Sequence, residues 1–274
     1  MALPRVLIGS PIKQQPDILQ AFLQSLELIK QTSFEADFIF VDDNDHVTSA
    51  HDLVAFQNRN PKWNINVWPS EQPNLTYHRT ETTHYWSEAL IWHVAAMKDR
   101  ILDHAQEMRY DYVFLIDSDV IIHPDTIERL MGTQKDIVAN IYWTAWEPNI
   151  IEMPQVWLQD VYSLIPKARL EQLTDEESNA RLLTFLKQLR QPGIFEVGGL
   201  GACTLISRKA IEAGVRFKEI RNISFWGEDR HFCVRAAALG FSLYVDTRRP
   251  AYHIYRQTDL DGVARYIQAC KQPD

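Results

Sequence analysis

Residues 112–119 read Tyr112-Val113-Phe114-Leu115-Ile116-Asp117-Ser118-Asp119, an apolar run that ends in two carboxylates. A short continuous apolar run of this kind is expected to be a strand buried on both faces, as in a parallel sheet. Residues i and i+2 of a strand project to the same side, so Asp117 and Asp119 can meet one cation at the strand's end. Val120-Ile121-Ile122 follows and is again apolar. Carboxylates set between buried runs are costly unless they are paired or bind a metal, and that context favours a metal here. For so short a pattern a solvated turn or a helix cap is the alternative.

The surrounding chain alternates strand and helix patterns, the signature of βαβ units in an α/β protein. Val6-Leu7-Ile8 is expected to be a buried strand ending at Gly9, followed by a helix carrying Ile18, Phe22, Leu26 and Ile29. Phe38-Ile39-Phe40-Val41 is the next strand and runs into Asp42-Asp43-Asn44, and a third lies around Ile65-Asn66-Val67. A long helix is expected from about Trp86 to Ala105, with Leu90, Val94, Met97 and Ile101 on its apolar stripe. Downstream come a short helix after Pro124, a strand over residues 137–141, and a segment from about 152 to 192 that reads as a helical insertion on the rim. Then follow the turn Gly198-Gly199-Leu200-Gly201, a strand through Thr204-Leu205-Ile206, and a helix from Glu228 that stops at Gly240. Phe241, Leu243 and Val245 alternate as a last strand that leads to His253.

Bulk composition narrows the function. With 274 residues, 46% hydrophobic and 23% charged, the chain excludes disorder, collagen-like repeats and a disulfide scaffold. Its 28 Lys and Arg against 36 Asp and Glu give a formal net charge of −8. An acidic chain is poorly suited to a nucleic-acid polymer, and a small anionic ligand would need local positive charge. Three scattered cysteines, Cys203, Cys233 and Cys270, fit neither a disulfide framework nor a zinc ribbon. The apolar run near the start is too short for a signal-peptide core, and no stretch approaches the roughly 18 apolar residues of a membrane span. A cytoplasmic setting is the expectation.

Other residues carry candidate chemistry. His253 is a plausible third ligand beside the two aspartates, a donor set that suits Mn²⁺ somewhat better than Mg²⁺. In Trp226-Gly227-Glu228-Asp229 two acids open a helix, where the dipole favours them; equally, one of them can serve as a general base. Asp42 and Asp43 can hydrogen-bond a nucleobase or ribose, or cap the helix near Val47. Lys98 can meet a phosphate or stay solvated, and Trp143, Trp146 and Trp226 can stack on a sugar or fill the core.

Taken in order, Val41-Asp42-Asp43-Asn44, Phe114 to Asp119, Gly198 to Gly201, Trp226 to Asp229 and His253 resemble the GT-A glycosyltransferases, family 2 above all. The resemblance implies a Rossmann-like α/β/α sandwich, the nucleotide-diphospho-sugar transferase fold, with a mainly parallel central sheet. It implies one domain over 1–274, with a nucleotide-sugar-binding half at 1–122 and an acceptor-binding half at 123–274. Asp117, Asp119 and His253 would hold Mn²⁺ or Mg²⁺ on the diphosphate of a UDP-sugar or GDP-sugar. Ser10, Pro11, Asp42, Asp43 and Lys98 would serve the donor together with Asp117. Asp229 would be the base of an inverting transfer to a carbohydrate or other hydroxyl acceptor. Glu228 would assist it, and Gly199, Gly201 and Trp226 would face the acceptor. Tyr252-His253-Ile254-Tyr255 and the Gly-rich turn are also similar to the retaining Anp1-like mannosyltransferases, in which Asp229 need not be a base. A sugar-nucleotide nucleotidyltransferase fits less well, because Gly9-Ser10-Pro11-Ile12-Lys13 lacks the extra glycines of a phosphate loop. A non-catalytic carbohydrate-binding protein would explain the tryptophans but not the acids.

Overall fold

Alternation along the central strands sorts the core into two layers. Val6, Ile8, Phe38, Phe40 and Phe114 face one side of the sheet, while Leu7, Ile39, Val41, Val113 and Leu115 face the other. All ten are buried, each side chain contributing roughly 1.5–3 kcal/mol of transfer free energy. In this computed structural model the described residues are 2–71, 75, 78–79, 84–147, 150–159 and 161–271.

Eight strands form the main sheet: β1 (Arg5–Ile12), β2 (Glu35–Asp42), β3 (Asn64–Pro69), β4 (Tyr112–Leu115), β5 (Ile137–Asn140), β6 (Ile194–Val197), β7 (Thr204–Ser207) and β8 (Leu243–Asp246). Their spatial order is β6-β8-β5-β7-β4-β1-β2-β3. The pairs β1/β2, β2/β3, β1/β4 and β5/β8 are parallel, whereas β7 and β6 run against their neighbours. The mainly parallel α/β sheet expected from the sequence is therefore present. Helices α1 (Pro16–Glu27), α2 (Val47–Arg59), α4 (Thr126–Gly132) and α8 (Leu260–Ala269) bury residues in the first layer. Helices α3 (Glu88–Glu107), α5 (Asp175–Leu189), α6 (Arg208–Glu212) and α7 (Glu228–Ala238) bury theirs in the second.

Two local expectations need correction. β1 does not end at Gly9 but runs on to Ile12. A Cβ on Gly9 would lie 2.6 Å from Cγ2 of Ile101, so this glycine lets α3 pack close to the strand. Nor is the 152–192 segment wholly a rim insertion. Its helix α5 begins with a capping box between Thr174 and Glu177 and buries Phe185, Leu186 and Leu189. Its first residues, however, form two-stranded ribbons: Met153–Pro154 pairs with Trp143–Thr144, and Val156–Trp157 with Gly199–Leu200. Those ribbons carry the insertion into the wall of the site. Cys203, Cys233 and Cys270 are unpaired. Among the described residues, no helix is long and apolar enough to cross a membrane.

Candidate active site

A cleft of about 720 Å³ opens at the carboxyl end of β1 and β4, where ligands of open α/β sheets bind. Asp117, Ser118 and Asp119 leave β4 on its floor. Val120–Ile121 then pairs antiparallel with Tyr252–His253, setting Val120 opposite His253, and the Ile254 amide donates to the Asp119 carbonyl at 2.8 Å. This ribbon brings His253 Nε2 to 3.6 Å from Asp119 Oδ1. Nδ1 of the same imidazole lies 2.8 Å from the Thr144 hydroxyl, a contact that fixes the ring. Burial pushes the Asp117 carboxyl up, Lys98 opposes that, and Asp119 and Glu228 push it further. Among the described residues no three His, Cys, Asp or Glu side chains converge in one metal-holding group. Asp117, Asp119 and His253 therefore share a wall of the cleft without forming a closed site.

Facing them is the start of α7. Gly227 takes φ of +103°, a left-handed conformation that a side chain would strain. A Cβ there would also stand 2.9 Å from the Tyr162 hydroxyl. That hydroxyl donates to the carbonyl of Trp226, tying the insertion to the turn that presents the acids. Lys98 of α3 donates to Glu228 Oε1 at 2.9 Å and Asp229 Oδ1 at 3.1 Å, and only 3% of it is exposed. Its ammonium also lies 5.0 Å from the Phe217 ring, which is stacked on Phe232. Burial pushes the Asp229 carboxyl up to about 7; Lys98 opposes this, and Glu228 and Asp117 add to it. Lys98 is thus held by the acid pair rather than extended toward an incoming phosphate.

At the other end of the cleft Pro11, Lys13, Gln14 and Asp43 contribute to the lining. Asp43 is buried beside Lys13 Nζ and His93 Nε2, each at 3.3 Å. Ser10 and Asp42, grouped with the donor in the sequence, do not reach the cleft. Ser10 is fully buried and donates to the Pro11 carbonyl, while Asp42 accepts from the amide and side chain of Asn44. Gly199 is displaced as well: a Cβ on it would lie 1.9 Å from the Trp157 ring, so its lack of a side chain accommodates that indole. Trp157 lines the cleft in its place, whereas Gly201 does line it, with a would-be Cβ 3.3 Å from Asp229 Oδ2. Trp226 is more than half exposed on the rim. Trp143 instead packs beneath Arg190, its ring 3.4 Å from the guanidinium.

Sequence reasoning passed over Tyr142, Thr144, Gln155, Trp157 and Tyr162, all of which line the cleft. The insertion supplies three of these five, and nothing local in its sequence marks them. Lys13 carried one usable signal, a cation just beyond a buried strand.

Comparisons agree with this architecture. The model of the glycosyltransferase family 25 N-terminal domain matches residues 3–145. A mannosyltransferase from Pyrobaculum calidifontis, solved with GDP-Man and Mn²⁺, superposes with a TM-score of 0.53 at 11% identity, over 90% of this chain and 58% of that one. S. aureus TarS (residues 1–349) superposes with a TM-score of 0.51 at 15% identity, over 97% of this chain and 65% of that one. The UDP complex of the same TarS fragment gives 0.52 at 13% identity, with the same coverage. The chain thus spans about three fifths of the length of these structures. At such identities the likeness is one of fold, and the fold is GT-A. The GT-A resemblance read from the motifs holds, and the chain belongs to the glycosyltransferase family 25 N-terminal domain family.

Proposed function

We propose that this protein transfers a sugar from a nucleotide-diphosphate sugar to an acceptor hydroxyl, with inversion at the anomeric carbon. The observation that carries this reading is the pairing of Glu228 and Asp229 with buried Lys98 in the cleft that also holds Asp117 and Asp119. A carboxyl raised to about 7 is suited to take a proton near neutral pH. Asp229 removes the acceptor's hydroxyl proton and keeps it. The acceptor oxygen attacks the anomeric carbon as the bond from that carbon to the phosphate oxygen breaks, and the nucleoside diphosphate leaves with the electron pair. Glu228 shares Lys98 with Asp229 and so helps to hold the base in place.

The donor set on the opposite wall, two carboxylates and one imidazole, fits a divalent ion that prefers oxygen and nitrogen ligands. The site is also short of positive charge, because the lysine nearest Asp117 is already engaged by Glu228 and Asp229. Asp117, Asp119 and His253 are the residues that would hold Mn²⁺ or Mg²⁺. When bound, the ion would offset the charge of the leaving diphosphate. Asp43 and Pro11 serve the nucleoside end of a UDP-sugar or GDP-sugar, and the whole chain, 1–274, acts as one donor-and-acceptor unit. Nucleotide ligands in the mannosyltransferase and TarS structures are consistent with this donor class.

The test is release of UDP or GDP from a panel of sugar nucleotides with and without Mn²⁺, followed by NMR assignment of the product anomer. Metal-stimulated release with inverted configuration is the expected result. No release from any sugar nucleotide would overturn the transferase reading, and a retained anomer would overturn the base role of Asp229.

A further inference from the structure

Val120–Ile121 pairs with Tyr252–His253 over two residues on each side, and this ribbon carries Asp119 and His253 at its cleft end. A ribbon so short has few contacts of its own to fix its register. The pairing sets Asp119 opposite Ile254, whose amide donates to the Asp119 carbonyl at 2.8 Å. Toward the other end the same register puts His123 opposite Pro250. Hydrogen-bonded pairs alternate along an antiparallel ladder, so the next one falls there, yet proline has no N–H to give. The backbone can make only half of that pair, and side chains close the end instead.

Arg249, one residue before Pro250, donates through Nη1 to His123 Nε2 at 2.7 Å. Nδ1 of the same imidazole donates to Asp125 Oδ1, which leaves Nε2 as the acceptor for the guanidinium. Asp125 Oδ2 also lies 3.1 Å from Arg249 Nη1. Arg129 of α4 then roots the group in the main sheet. It donates to Asp125 at 2.9 Å, to the Arg249 carbonyl at 3.3 Å, to Asn140 of β5 at 2.7 Å and to Asp246 of β8 at 3.1 Å. Asn140 and Asp246 are fully buried, so the anchor is the rigid part of the fold. None of these residues lines the cleft.

We propose that His123 and Arg249 are positioning residues: their bond fixes the register of the ribbon and thereby the spacing of Asp119 and His253 that a divalent ion requires. The inference rests on the metal site of the transferase reading and adds the residues, outside the cleft, that hold its ligands in register. Magnitudes favour this role over simple stabilisation. A slip of two residues keeps every side chain on its own face and still carries His253 about 7 Å along Asp119's strand. Metal–ligand distances tolerate only about 0.2 Å. Burial of Val120 and Ile121 sets the depth of one strand, whereas the Arg249–His123 bond sets where its partner lies along it.

The experiment uses the full chain and two readouts, amide hydrogen exchange at Ile254 without metal and isothermal titration of Mn²⁺. Arg249→Met should speed exchange at Ile254 by about tenfold or more and weaken Mn²⁺ binding by about tenfold. His123→Phe, which keeps a ring but loses both nitrogens, should do the same. Arg249→Lys, which keeps a charged donor, should stay within about threefold of wild type in both. Arg208→Met is the control for lost stability. That arginine also fastens two elements, through the Tyr110 carbonyl and Asp111 at 2.9 Å each, but at the opposite end of β4. It should lower the thermal midpoint and leave both readouts unchanged. Unchanged exchange or unchanged Mn²⁺ affinity in Arg249→Met overturns the proposal, as does an equal effect of Arg208→Met. Wild-type protein that takes up no Mn²⁺ overturns the metal reading and the link to it. Release of UDP or GDP by the wild-type chain is measured in parallel. Mn²⁺ binding that follows the clamp without any release keeps the positioning role and removes the transferase.

Discussion

The ammonium of Lys98 stands 3.1 Å from Oδ1 of Asp229, joining the middle of α3 to the first turn of α7. The lysine is buried and also binds Glu228 at 2.9 Å, so one cation answers two carboxylates. Burial lowers its affinity for a proton, but Asp229, Glu228 and Asp117 more than reverse this and hold it well above the ordinary lysine value. The ammonium form of Lys98 is therefore favoured over the neutral amine. Such a cation keeps the Asp229 carboxyl from rising further.

The pH profile follows from this arrangement. A base must be ionised, so activity is expected to rise as pH rises through about 7 and to level off above it. Lys98→Met removes the charge that favours the Asp229 carboxylate, so the limb of any remaining activity should move to higher pH. The same change leaves two acids without their buried partner and should cost about 3 kcal/mol of stability, read as a lower midpoint in denaturant. Asp229→Asn should lower kcat by roughly 10²- to 10⁴-fold. A wild-type profile flat between pH 6 and 8 would exclude Asp229 as the titrating base.

Metal dependence should be carried by the wall opposite. Chelation is expected to abolish donor turnover and added Mn²⁺ to restore it, while Asp119→Asn should remove both the activity and the response to metal. Thr144 anchors His253 through Nδ1, so Thr144→Val should weaken Mn²⁺ binding by about tenfold. Isothermal titration of Mn²⁺ into wild type and variant checks this. Equal affinities would place His253 outside the coordination.

A stability prediction isolates the Gly-rich turn. Gly199→Ala puts a methyl 1.9 Å from the Trp157 ring, where both partners are buried. Relief requires Trp157 to move, at a cost of about 1–3 kcal/mol. Thermal melting should show a fall of several degrees, since about 1 kcal/mol moves the midpoint of a chain this size by about 2–4 °C. Gly132→Ala, with nothing within 4 Å of the new methyl, is the control and should leave the midpoint nearly unchanged.

These residues also show what was legible in the sequence. Strand and helix order was, because periodicity is local: β2 and β4 lie where Phe38 to Val41 and Tyr112 to Ile116 place them. Gly9 was misread because a glycine that admits a packed helix looks the same in sequence as one that ends a strand. Lys98 stands out in the sequence, but its acid partners do not, since Glu228 lies 130 residues away and the packing of α7 on α3 joins them. Ser10 lies inside β1 and is fully buried, and Asp42 ends β2 but is bound to Asn44, placements that side-chain geometry sets and strand order does not. Gln155, Trp157 and Tyr162 were invisible for the same reason: nothing local in the insertion's sequence marks which of its residues reach the site.

That tyrosine yields the last prediction. Its hydroxyl donates to the Trp226 carbonyl, and its ring packs 4.4 Å from that of Trp157. Burial pushes its pKa up, so it remains a proton donor at every working pH. Tyr162→Phe keeps the ring and deletes a hydrogen bond that ties the insertion to the turn before Glu228 and Asp229. The fold should lose only about 1 kcal/mol, because a single hydrogen bond is removed. The turn, however, gains freedom at its glycine cap, and a displacement near 1 Å at a reacting group can cost up to about a hundredfold in rate. The expected outcome is a kcat reduced by about tenfold or more, with donor KM nearly unchanged and the thermal midpoint within a few degrees of wild type. A variant with full kcat would show that the insertion packs against the cleft without positioning the base.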